Sequence, residues 1–153
     1  MSQVLRNSPE IVDIPEISVR SRRTVMTDFP QGLDKLMGGI VEEIMAAGKM
    51  PVGAPILVYY DEEYVPERVD LEAAFPVDEP ALITGTLPAI KAARYVHVGP
   101  YDTMEPVYGA VMAWIGEQGF RVAGPMREAY PNDPAVTPPE KLITELVIPV
   151  ARI

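Results

Sequence analysis

The stretch AGPMREAYPNDP, Ala123–Pro134, carries the residues of most chemical interest in this chain. If Met126–Tyr130 is extended, Met126, Glu128 and Tyr130 share one face of the strand, and Arg127 and Ala129 share the other. A glutamate between a methionine and a tyrosine on an inward face has two readings. It is a rim residue paired with Arg127 or Arg94, or it is the polar anchor of a binding cleft. A carboxylate in a desolvated apolar cleft is costly unless it is paired. A lipophilic cation supplies that pairing, and aromatic faces add cation–π attraction of about 0.5–2 kcal/mol each. The same carboxylate suits a general base that activates water, with Tyr130 beside it. The Tyr130 hydroxyl is within reach of the carboxylate or of a ligand; its alternative is a core tyrosine with a satisfied hydroxyl.

Other side chains are candidates for the walls of such a cleft. Tyr59 and Tyr60 point to opposite faces of their strand, and Tyr60 is favoured as the counterpart of Tyr130. Tyr108 lies on a helical apolar stripe, where core packing competes with a place at the cleft. Trp114 is one residue off that stripe and either flanks the cleft or covers an edge. Tyr101 follows Gly99-Pro100 at a helix entrance, where Asp102 or Thr103 is expected to cap the helix. His97 ends a strand and reads as a packed, hydrogen-bonded residue rather than a catalyst. Glu72 and Glu145 read as equivalent strand glutamates of low functional weight. The eight methionines fill the core, with a few, Met126 among them, helping a cleft accept varied shapes.

Composition narrows the choice of chemistry. The 153 residues fit one domain able to bury a sizeable core, with 48% apolar and 23% charged side chains. The formal net charge of -9 argues against a sequence-independent grip on nucleic acid and, weakly, favours cationic ligands. With no cysteine and one histidine, disulfides, thiolate metal sites and two-histidine mechanisms are excluded. No cofactor or metal motif, phosphate-cradling glycine loop or nucleophile elbow is present. No apolar run approaches the ~20 residues of a membrane span, and no secretory segment opens the chain, so the expectation is a cytoplasmic protein.

The elements that position these residues come twice. Glu16–Thr27 reads as a strand, Gln31–Ala47 as an amphipathic helix closed by Gly48, and Ile56–Tyr60 and Val69–Val77 as strands. Gly85–Val98 is strand-like and Met104–Ile115 marks a second helix, closed by Gly119. Met126–Tyr130 and Leu142–Val150 are the last strands. Arg23 and Arg94 stand 71 positions apart, as do Gly48 and Gly119. Pro55 and Pro125, and Tyr60 and Tyr130, are 70 apart; Glu72 and Glu145, and Pro76 and Pro149, are 73 apart. The pattern predicts an α+β fold of internally duplicated strand–helix–strand–strand modules, a pseudo-twofold antiparallel sheet with two main helices. The halves run from about 10 to 80 and from 81 to 153. A groove between such halves is a preferred ligand position, lined by Ile56–Tyr60 and Met126–Tyr130. By the spacing of 70, Glu128 stands where the first copy has Val58.

The runs HVGPYDTM (His97–Met104), WIGEQG (Trp114–Gly119), GPMREAYPNDP (Gly124–Pro134) and TELVIPV (Thr144–Val150), with the weaker VGAPILVYYD (Val52–Asp61), resemble the GyrI-like small-molecule-binding domain, or AraC-type effector-binding domain. The resemblance extends from about Glu10 to Val150. It implies a hydrophobic, aromatic-lined cleft that takes hydrophobic or cationic small molecules, with a buried glutamate, here Glu128, as anchor. Ligand contacts are then expected from Glu128, Tyr130, Tyr60, Trp114, Tyr108 and Met126. In drug-sensing transcription regulators this domain is fused to a DNA-binding part. Here only about fifteen residues precede the first strand, so the resemblance is to a stand-alone member without direct nucleic-acid contact. Some stand-alone relatives hydrolyse cyclopropanoid genotoxins, for which Glu128 and Tyr130 are the catalytic candidates; others inhibit DNA gyrase. The oligomeric state is left open between monomer and homodimer.

Overall fold

The computed structural model describes residues 4–153. In chain order it contains β1 (Glu10–Ile14), β2 (Ile17–Met26), α1 (Leu33–Ala46), β3 (Ile56–Tyr59), β4 (Val69–Pro76), β5 (Gly85–Leu87), β6 (Ile90–Val98), α2 (Glu105–Glu117), β7 (Phe120–Val122), β8 (Met126–Ala129) and β9 (Ile143–Arg152). The α+β class with antiparallel pairing is as the sequence predicts, and so are the two α-helices. The stretch before Glu16, expected to precede the first strand, contains β1. The single strand expected over Gly85–Val98 is two, β5 and β6, interrupted at Pro88, which has no N–H to give to a ladder.

The described chain divides into two compact units, residues 16–88 and residues 4–15 with 89–153. In the first, antiparallel strands are ordered β5-β2-β4-β3. In the second they are ordered β1-β6-β9-β8, with β7 added to the end of β9. The two orders correspond strand for strand, and the chain passes between units beside a proline each time, at Pro15 and at Pro88. The outermost strand of the second order, β1, precedes the 16–88 unit in sequence and pairs with β6 after it.

Each helix buries a narrow stripe. Ile40 and Ile44 are the buried residues of α1, and Val107, Val111 and Ile115 those of α2, at the helical spacing expected of an inward face. Met45, near the end of α1, is 55% exposed. Both helices stop at a glycine in the left-handed region, Gly48 with φ 75° and Gly119 with φ 81°. The α2 stripe packs into a cluster with Ala93 and Tyr95 of β6, Phe120 of β7 and Leu146 and Ile148 of β9. The expected cap of α2 by Asp102 or Thr103 does not form: Met104 is the cap residue, without a side-chain bond. The Thr103 hydroxyl instead donates to the Pro100 carbonyl at 2.6 Å.

Candidate functional site

Glu128 is set by the start and the register of β8. The N–H of Ala123 bonds the Pro149 carbonyl at 2.8 Å, and Gly124 lies so close to Pro149 that a Cβ there would be 3.3 Å from the ring. This approach launches β8 along β9 with Glu128 opposite Leu146. Tyr108 reaches the same carboxylate from the start of α2. Its hydroxyl donates to Oε2 of Glu128 at 2.8 Å, and the Tyr130 hydroxyl donates to Oε1 at 3.3 Å. Glu128 itself is only 4% exposed. The exposed-rim reading therefore does not apply, and Arg94 is engaged elsewhere, with Glu145 at 3.2 Å.

Tyr101 extends this group outward. It sits in a short 3-10 turn, Tyr101–Thr103, and its ring meets Tyr130 edge-on at 5.8 Å and 76°. Burial, with the negative charges of Asp133 and Glu128, pushes its phenol above the ordinary tyrosine value. It therefore remains a neutral hydroxyl near pH 7. From the sequence this residue reads as part of a structural turn; its helix-entrance position gave no sign of the ring contact, which depends on where Tyr130 falls in space. Met126 and Trp114 are partly buried and packed against the hydrophobic cluster of α2, as Tyr108 is. Thus Glu128, Tyr108 and Tyr130 come together directly, while Met126 and Trp114 lie on the same apolar cluster.

Tyr60 belongs to another group, and pairing it with Tyr130 needs correction. Leu57 faces Ala73 in the β3–β4 ladder, and Glu128 faces Leu146 in the β8–β9 ladder. Ala73 and Leu146 are 73 positions apart, as are Pro76 and Pro149. Leu57 is thus the counterpart of Glu128, and Tyr59 the counterpart of Tyr130, at a spacing of 71 rather than 70. Gly53 confirms the register, because it approaches Pro76 (3.2 Å for a Cβ) as Gly124 approaches Pro149. The aromatic contacts agree: Phe29 meets Tyr59 edge-on at 6.3 Å, as Tyr101 meets Tyr130. Matching Pro55 with Pro125 shifted the copies by one residue, enough to exchange the faces of a strand. At the helix spacing of 71, Met37 is the counterpart of Tyr108. Where the first copy has Leu57, Met37 and Tyr59, the second has Glu128, Tyr108 and Tyr130.

In the 16–88 unit, the Tyr60 hydroxyl donates to Oε1 of Glu72 at 2.5 Å, and Ser21 donates to Oε2 at 2.6 Å. Burial and this bond to Glu72 push the Tyr60 phenol up to about 12. Arg23 lies over its ring at 3.7 Å and pairs with Asp70, whose carboxyl the guanidinium holds below the usual range. Glu72 and Glu145 thus occupy equivalent strand positions with different partners. His97 donates from Nε2 to the Thr103 hydroxyl at 2.9 Å, since that hydroxyl gives its own proton to Pro100. This bond is that of a turn-fixing residue. Among the described residues no group of three or more His, Asp or Glu side chains is placed to hold a metal ion. No helix among them is long and apolar enough to cross a membrane.

The duplicated antiparallel α+β fold places the chain in a class of small-molecule-binding domain. Residues 7–151 match the model of the GyrI-like small molecule binding domain, and the chain belongs to that family. Among solved structures, the C-terminal domain of EcmrR is 27% identical, with a TM-score of 0.81 over 95% of this chain and 98% of that one. In the EcmrR–DNA complex, the match at 28% identity and TM-score 0.80 covers 95% of this chain and 58% of that longer chain. SAV2435 bound to tetraphenylphosphonium shares the fold at 16% identity and TM-score 0.64, over 95% and 94% of the two chains. A hydrolase from Listeria innocua shares it at 14% identity and TM-score 0.66, over 96% and 93%. No match was found among curated proteins.

Proposed function

We propose that this chain binds hydrophobic cations, with Glu128 as the charged anchor and Tyr108, Tyr130 and Tyr101 as its aromatic surroundings. The observation that carries this reading is a 4% exposed carboxylate receiving phenol hydroxyls on both oxygens. Two phenol donors hold the carboxyl group in a fixed orientation. The tyrosine rings offer π faces to the same positive group. A cation with apolar substituents gains from both and from burial of its own surface. The tetraphenylphosphonium held by SAV2435 is a ligand of this chemistry.

Titration of tetraphenylphosphonium against the wild type and Glu128→Gln tests the anchor. The amide keeps the shape and removes the charge. Affinity is expected to fall about tenfold to a hundredfold, the value of one charge-assisted contact in a buried site. Equal affinity for both proteins rejects the anchor role.

The 3.3 Å contact between the Tyr130 hydroxyl and Glu128 supports a second reading. It places a proton donor beside a base, the pair that a water-driven opening of a cyclopropanoid ring requires. Product analysis after incubation with such an electrophile decides it. Turnover lost in both Glu128→Gln and Tyr130→Phe supports catalysis; wild-type turnover no higher than that of Glu128→Gln excludes it.

A further inference from the structure

The 16–88 unit carries its own tyrosine–carboxylate pair, and the chain places a cation on it. Tyr60 is held by its hydroxyl bond to Glu72. The Arg23 guanidinium lies 3.7 Å from the centroid of the Tyr60 ring. In its own plane it gives Nε to Oδ1 of Asp70 at 3.0 Å and Nη2 to Oδ2 at 2.9 Å. Asp70 is fixed in turn, because its N–H bonds Asp61 and its carbonyl receives the N–H of Tyr60. The two demands, a flat face for stacking and two parallel N–H groups for one carboxylate, are met together by a guanidinium and not by an ammonium.

Arg23 is not a packing residue. Its side chain is 54% exposed, and β2 already ties itself to α1 through Arg20 and Arg22, both bound to Glu43. The face of Tyr60 and the fork of Asp70 form a niche that does not depend on where the guanidinium is tethered. We propose that this niche is a guanidinium-binding site which Arg23 fills in cis, and that without Arg23 it accepts a free guanidinium cation. Tethering gives Arg23 a high effective concentration, so in the native chain it keeps millimolar guanidinium compounds out. The inference concerns the 16–88 unit alone and does not depend on Glu128 binding a ligand.

The test uses methylguanidinium chloride at millimolar concentrations, with sodium chloride at matched ionic strength as control. Binding is read from the amide resonances of Tyr60 and Asp70 in wild type and Arg23→Ala. Arg23→Ala is expected to show saturable binding about tenfold or more tighter than wild type. Adding Asp70→Asn to Arg23→Ala is expected to abolish it, while adding Glu128→Gln leaves it unchanged. Arg23→Gln, which keeps the aliphatic stem, serves as the second variant if the alanine form does not fold. Equal binding by wild type and the folded Arg23 variant, or binding that survives Asp70→Asn, overturns the proposal.

Discussion

The two phenols on Glu128 are unequal. Tyr108 donates at 2.8 Å and Tyr130 at 3.3 Å, so the first bond is near the preferred length and the second is long. Tyr108→Phe should therefore destabilise the fold by about 1–2 kcal/mol, since a buried carboxylate loses a well-placed donor. Tyr130→Phe should cost less, about 0.5 kcal/mol. Chemical denaturation of the two variants checks the order; a larger loss in Tyr130→Phe contradicts it. Tyr60 makes a prediction about alkaline pH. Its folded value, raised to about 12 by burial and by Glu72, exceeds the ordinary value of 10.0. The protonated phenol is thus the favoured form in the fold. Its contribution is fully present below pH 10 and lost as pH rises towards 12. The stability difference between wild type and Tyr60→Phe should shrink across that window. A constant difference would show that the phenol titrates alike in folded and unfolded chains.

Within the elements, glycines of opposite kinds give opposite expectations. Gly38 lies inside α1 with no atom within 4 Å of a Cβ built there. Gly38→Ala should stabilise by about 0.5–1 kcal/mol, the helix-propensity difference. Gly48, at φ 75° after the same helix, is in a conformation that costs an L side chain energy, so Gly48→Ala should destabilise by about 1 kcal/mol. Thermal denaturation of both variants distinguishes these signs. The helices were legible because apolar spacing and terminal glycines are local signals. The positions of β3 and β8 were legible to within one residue. The slip came from a proline match, whereas the register is set by Gly53 and Gly124 approaching Pro76 and Pro149, partners more than twenty positions away. β1 escaped for a related reason. Its burial is intermediate at Ile11, Val12 and Ile14, and its partner β6 begins at Ile90, so no local pattern announces the pairing.

Across the molecule, duplication produces two copies of one sheet order and then lets their chemistry diverge. The sequence alone revealed the repeat and marked Glu128 as a departure from it. Only the register shows that the departure includes Tyr108, which replaces Met37, while Tyr130 and Tyr59 are common to both copies. The carboxylate and the Tyr108 phenol that donates to it are thus both particular to the second copy. The chain as a whole adds a net charge of -9 to this local negative site. These two sources of attraction differ in their response to salt. Surface charge is screened beyond about 8–10 Å at physiological ionic strength, whereas a buried carboxylate acting at contact is screened much less. Tetraphenylphosphonium and tetraphenylborate, nearly equal in shape and opposite in charge, separate charge from apolar burial. The cation is expected to bind about a hundredfold or more tightly, because the anion meets the same apolar surface with its charge against Glu128. Raising the salt should reduce that preference only in part. In Glu128→Gln the remaining preference should come from surface charge and disappear at high salt. A wild-type preference that vanishes in salt would assign selectivity to the net charge and remove Glu128 from it.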